Sequence, residues 1–122
     1  TKAAPSGREL EAAALFKAAR QLESCRQDWQ APDRERRLDE ALRYNQRLWT
    51  FFQGEWMAED CPLPANLRTN LLRLSAFVDR RTFEMIATPT SEGLRALIEI
   101  DRQIAAGLST PAAAAEVTAR AA

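Results

Sequence analysis

Histidine is absent from this 122-residue chain. That removes the side chain most used as a general base near neutral pH and as a metal ligand. Cysteine is scarce: Cys25 and Cys61 stand far apart with no paired spacing, so the sulfur and nitrogen ligands of a zinc site are missing. A thiol nucleophile at either position would lack its usual histidine partner. No Gly-x-Gly-x-x-Gly or Gly-x-x-x-x-Gly-Lys pattern occurs, so no phosphate cradle is written into the chain. The carboxylate pairs Glu9/Glu11, Asp39/Glu40 and Glu59/Asp60 fall in or near polar helical turns and read as solvated surface. No cofactor or metal is expected, and the chain is not expected to be an enzyme.

Other scarcities bound the fold and the setting. Four glycines, one tyrosine and no β-branched runs disfavour strands. The net charge is zero, from 17 basic and 17 acidic residues, so the basic excess of a nucleic-acid binder is missing. Arg34, Arg36 and Arg37 cluster, but they read as a solvated helix start. No apolar run approaches about 18 residues, and no signal-peptide pattern is present. Two thiols in a small helical chain suit a reducing compartment, so the expected location is the cytoplasm. The chain opens on Thr1, and the native N-terminus is expected to lie upstream.

What the sequence does have is helical periodicity. Its length suits one domain with one modest core. Residues 1–7 are expected to be a disordered arm, 8–108 a helical bundle, and 109–122 an alanine-rich tail. Ser6-Gly7-Arg8-Glu9 has the form of a capping box. The first helix is predicted over Gly7–Trp29, with a thin stripe of Ala12, Leu15, Ala18, Leu22, Cys25 and Trp29. Pro32 breaks it, and Asp33 is the expected cap of a second helix over Arg34–Met57. Pro62-Leu63-Pro64 enforces a turn, with Pro64 the expected first residue of a third helix reaching Ala87. Its apolar face is Leu67, Leu71, Leu74, Phe77, Val78 and Met85, broadened by Leu72, Phe83 and Ile86. Thr88 and Pro89 are expected to open a fourth helix carrying Leu94, Leu97, Ile98, Ile100, Ile104 and Leu108, with Gly107 as its stop. The fold class is therefore all-α: an antiparallel bundle of four main helices, with a possible short C-terminal helix after Thr110-Pro111.

The second helix is the most informative element. Leu38, Ala41, Leu42, Asn45, Leu48, Trp49, Phe52 and Trp56 share one face at spacings of three and four. That face is rich in aromatic surface and has an asparagine at its centre. Asn45, Asn70 and Asp101 fall on or beside apolar stripes. Either they bond helix ends or one another inside the bundle, or they form a polar anchor in a groove; Asp101 also has Arg47 as a candidate partner across helices. Aromatics on a helix are most often core. Yet Leu48-Trp49 and Phe51-Phe52 put bulk on two adjacent sides, and the third and fourth helices are apolar around more than half their girth. A surplus of apolar surface is thus expected, in a groove suited to a partner helix.

The block Tyr44-Asn45-Gln46-Arg47-Leu48-Trp49-Thr50 resembles the FlaF family of small bacterial regulators of flagellin production. The likeness extends through Arg8-Glu9-Leu10-Glu11, Pro62-Leu63-Pro64, Leu67, Asn70, Leu74, Phe77, Val78 and Thr82, and the closing stretch Leu97–Leu108. It departs where the family often has asparagine and this chain has Asp101, where the family has Asn or Asp and this chain has Cys61, and in the alanine-rich tail. The resemblance implies a cytoplasmic protein of flagellum biogenesis that acts with the translational regulator FlbT and engages flagellin before export. On that basis the expected activity is binding of flagellin's terminal amphipathic helices as an export chaperone, coupling flagellin synthesis to secretion. The alternative is an adaptor acting through FlbT without touching flagellin. Direct RNA binding and membrane insertion are not expected. The expected partner-binding residues are Trp49, Phe52, Trp56, Phe77, Ile100 and Ile104, with Tyr44 and Arg47 at the rim.

Overall fold

The computed structural model describes residues 7–109. The Ser6 half of the capping box, the arm before Gly7 and the tail from Thr110 lie outside the described residues. Those described form four helices: α1 (Gly7–Gln27), α2 (Arg34–Met57), α3 (Ala65–Ala87) and α4 (Leu94–Ser109). No strand occurs among them. Short connections fold consecutive helices back on each other, as the all-α reading requires. Arg37 of α2 donates to Ser24 and Asp28 near the end of α1, and the Tyr44 hydroxyl donates to the Ala14 carbonyl at 3.5 Å further back along it. Descending numbers on α1 thus meet ascending numbers on α2.

α1 and α4 form the closest pair. The reason is side-chain size: Ala12, Ala18 and Ala19 on α1 and Ala105 and Gly107 on α4 are all buried, and small residues let two backbones approach. Leu15, Leu22, Leu94 and Leu97 fill the space beside them with no exposed surface. Each such leucine contributes roughly 2 kcal/mol by leaving water. α2 packs against α1 and α3, while α3 meets α4 only sparsely. The buried stripe of α3 is Leu71, Ser75, Val78, Thr82 and Met85. Its two hydroxyls are tolerated because each bonds its own helix, Ser75 to the Leu72 carbonyl at 2.8 Å and Thr82 to the Val78 carbonyl at 2.7 Å.

The helix boundaries correct several expectations. α1 ends two residues before Trp29, which still packs against the core while Arg34 lies over its ring at 4.5 Å. Asp33 precedes α2 but makes no side-chain cap bond, because its carboxylate is engaged by Arg36 and Arg37 instead. The arginine cluster is thus partly built into the α1–α2 corner. Pro64 is the cap residue of α3, in extended conformation, rather than its first helical residue. Thr88 closes α3, donating its N–H to Glu84 at 2.7 Å; Pro89 pushes the residue before it out of helical geometry. The hydroxyl that prepares α4 belongs to Thr90, which accepts the Gly93 N–H at 3.0 Å. Gly107 does not stop α4: it is buried inside the helix, and none of the described glycines has positive φ.

Two glycines carry opposite expectations. A Cβ at Gly93 would press on the Met85 methyl and sulfur and lie 2.8 Å from the Thr90 hydroxyl oxygen. Gly93→Ala should therefore destabilise the fold by about 1–2 kcal/mol, read as a lower denaturant midpoint. A Cβ at Gly54 meets nothing within 4 Å, on an exposed stretch of α2. Gly54→Ala should stabilise the protein by roughly 0.5–1 kcal/mol in the same experiment.

Candidate functional site

The aromatic residues of α2 divide by face. Trp49 has no exposed surface, and Phe52 and Trp56 are nearly covered. The Trp49 and Trp56 rings meet edge to face at 5.9 Å, and Phe52 stacks on Trp56 at 5.6 Å. Phe51, one residue away on the adjacent side with its ring centre 5.9 Å from that of Phe52, is 56% exposed. The interior therefore takes Trp49 and Phe52, Leu48 packs half-buried against the core, and Phe51 is left outside.

Asp101 explains why Trp49 sits so deep. The Trp49 indole N–H donates to Asp101 Oδ1 at 2.9 Å across the bundle interior. With its carboxamide nitrogen turned to the carboxyl, Asn45 donates to Asp101 Oδ2 at 2.6 Å and Oδ1 at 3.1 Å. Asn45 and Asp101 are both fully buried, so the three residues bond one another, and Arg47 stands exposed away from them. Burial pushes the Asp101 carboxyl up to about 7, opposed by the Trp49 hydrogen bond. The Asn45 amide pulls in the same direction as Trp49.

The open site lies at one end of the bundle. The start of α1, the end of α2, the 58–63 connection and the end of α4 enclose a pocket of about 440 Å³. Its apolar lining comes from Phe52, Trp56, Leu63, Ile104 and Leu108. Arg8 and Glu11 on α1, Glu55 on α2 and Asp60 in the connection supply the charge, three carboxyls against one guanidinium. Glu11 and Glu55 meet closely enough to hydrogen-bond. The Glu11 carboxyl is raised to about 7, first by burial, then by that bond and the Glu55 charge, with Arg8 opposing. An apolar hollow edged by surplus negative charge suits a side chain or helix end from another molecule. Among the described residues no group of three Cys, Asp or Glu side chains is placed to hold a metal ion.

The eight residues expected to bind a partner do not form one surface. Phe52, Trp56 and Ile104 line the pocket. Trp49 is committed to Asp101. Tyr44 is half-buried at the α1–α2 seam, with the Lys17 ammonium 5.0 Å from its ring centre. Arg47 is exposed on α2, and Ile100 is half-buried against the core. Phe77 is half-buried beneath Arg81, whose guanidinium lies 5.3 Å from the ring centre. The expected surplus of apolar surface exists, but not on α4, where Leu94, Leu97, Ile98 and Ile104 are buried. It lies on α3, as Phe83 and Ile86, on α2, as Phe51 and Met57, and on α1, as Leu10 and Phe16. Glu11, Glu55, Leu63 and Leu108 join the site without having been singled out for it from sequence. Residues 11 and 55 carry no spacing signal, because only the antiparallel return of α2 brings them together.

The model of the family described as flagellar protein FlaF matches residues 1–108. No curated protein and no solved structure matches the chain. No described helix is long and apolar enough to cross a membrane. The chain belongs to the FlaF family of flagellar proteins.

Proposed function

We propose, from the premise of a flagellar protein of the FlaF family, that this bundle binds flagellin in the cytoplasm before export and couples flagellin synthesis to secretion. The observation that carries the reading is the pocket lined by Phe52, Trp56 and Ile104. Flagellin's terminal segments are amphipathic helices, and such helices dock by seating apolar anchors in a groove. A specific complex covers roughly 800 Å² on each partner, more than one pocket provides. Leu10, 59% exposed, and Met57, 71% exposed, adjoin pocket residues in the chain and extend the apolar area at the same end of the bundle. The rigid wall of stacked aromatics favours a preformed site with little ordering cost on binding.

Calorimetric titration of monomeric flagellin into the protein tests this. Binding at micromolar concentration or tighter is expected; no heat and no co-elution at that concentration would remove flagellin from the mechanism. Separate pull-downs with flagellin and with FlbT distinguish the chaperone from an adaptor that works through FlbT alone.

A further inference from the structure

We infer that the pocket selects a partner segment in which an apolar anchor is accompanied, one helical turn away, by a lysine or arginine that seats between Glu11 and Glu55. This rests on the reading of the pocket as the client site and adds the chemistry of the client.

Glu11 lies near the start of α1 and Glu55 near the end of α2, 44 residues later in the chain. The α1–α2 packing holds them together at the edge of an apolar hollow. Two carboxylates so placed repel unless a proton or a cation lies between them. The neighbouring charges do not cure this. Among the described residues Arg8 is the one cation lining the pocket, Asp60 in the 58–63 connection adds a third acid, and α4 contributes Ile104 and Leu108. An incoming cation satisfies both acids at once, while the hollow beside them takes the adjoining apolar side chain. Burial first, and the Glu55 bond and charge after it, hold the Glu11 carboxyl above its ordinary range. Three acids against one base also disfavour an acidic segment, which gives the site discrimination by repulsion as well as attraction.

The test uses the full chain and two synthetic amphipathic helical peptides. Both carry leucines at i, i+3, i+4 and i+7; one has arginine at the edge of that stripe and the other has glutamine there. At pH 8 and low salt the arginine peptide should bind about tenfold more tightly. The preference should shrink toward pH 5, as Glu11 takes up its proton, and at high salt. It should disappear in the E11Q/E55Q double variant, which should bind the two peptides with equal affinity. Equal affinity for the two peptides, or no binding of either at millimolar concentration, overturns the inference. Self-association of the full chain through this end, blocked by the arginine peptide, would assign the pocket to a second copy and overturn it too. Flagellin binding is measured on the same samples. Flagellin binding indifferent to E11Q/E55Q leaves the chaperone reading standing and removes only the charge selection.

Discussion

Asp101→Asn stabilises the protein at pH 8 by about 2–3 kcal/mol, roughly 10 °C in melting temperature, and at pH 5 by only about 1 kcal/mol. The buried carboxyl sits at about 7 in the fold against an ordinary 3.8. Between those values the native state keeps a proton that the unfolded chain has released. Folding therefore takes up a proton, so stability falls as pH rises through that window and levels off above it. The full cost of ionising such a group is at most about 4 kcal/mol with the Trp49 hydrogen bond already included, and the Asn45 donor reduces it further. A carboxamide at position 101 still accepts the Trp49 N–H and pairs with Asn45, with no charge to bury. Asp101→Ala should do the opposite at pH 5, losing about 3 kcal/mol because it strands the indole N–H and the Asn45 amide inside the core, and should lose much less at pH 8, where it also removes the buried charge. Thermal melts of the three proteins at pH 5 and pH 8 check both expectations. A wild-type melting temperature independent of pH over this range would show that the carboxyl is not the titrating group.

Ala58→Trp should abolish flagellin binding, by at least about tenfold, without unfolding the protein. Ala58 lines the pocket and ends α2 in extended conformation, where φ of −66° and ψ of 142° accommodate a large side chain. Its carbonyl accepts the Cys61 N–H at 3.1 Å, a backbone bond that the substitution keeps. An indole there occupies the hollow that the client's anchor needs. The melting temperature should hold or rise, since the new ring covers Trp56 and Leu63. Full binding by a correctly folded variant would mean that the client docks elsewhere.

The sequence made the helices legible because each buries a stripe repeated at three and four residues. The stripe on α1, with Ala12, Leu15, Ala18, Leu22 and Cys25, is buried as read. The pairing of Asn45 with Asp101 was one of the two readings available for polar residues on apolar faces. Helix ends were less legible: proline and glycine signals compete locally, and the winner at α4 was a hydroxyl two residues beyond the one expected. The site was the least legible part. Periodicity identifies which residues leave water, so it selected Trp49 for the same reason that the fold hides it. A pocket at the end of a bundle arises where four chain segments stop covering one another. That depends on where α1 begins relative to where α2 and α4 end, which no single segment encodes.

The central claim is that the client sits on the Trp56 end of the bundle, and mapping the contact in solution tests it most directly. Amide and indole signals of isotope-labelled protein are followed as unlabelled monomeric flagellin is added. The account predicts that the Trp56 indole and the amides of residues 8–11, 55–63 and 104–108 shift, while the Trp29 indole at the far end stays in place. Shifts concentrated instead around Phe83 and Ile86, with Trp56 unmoved, would contradict it.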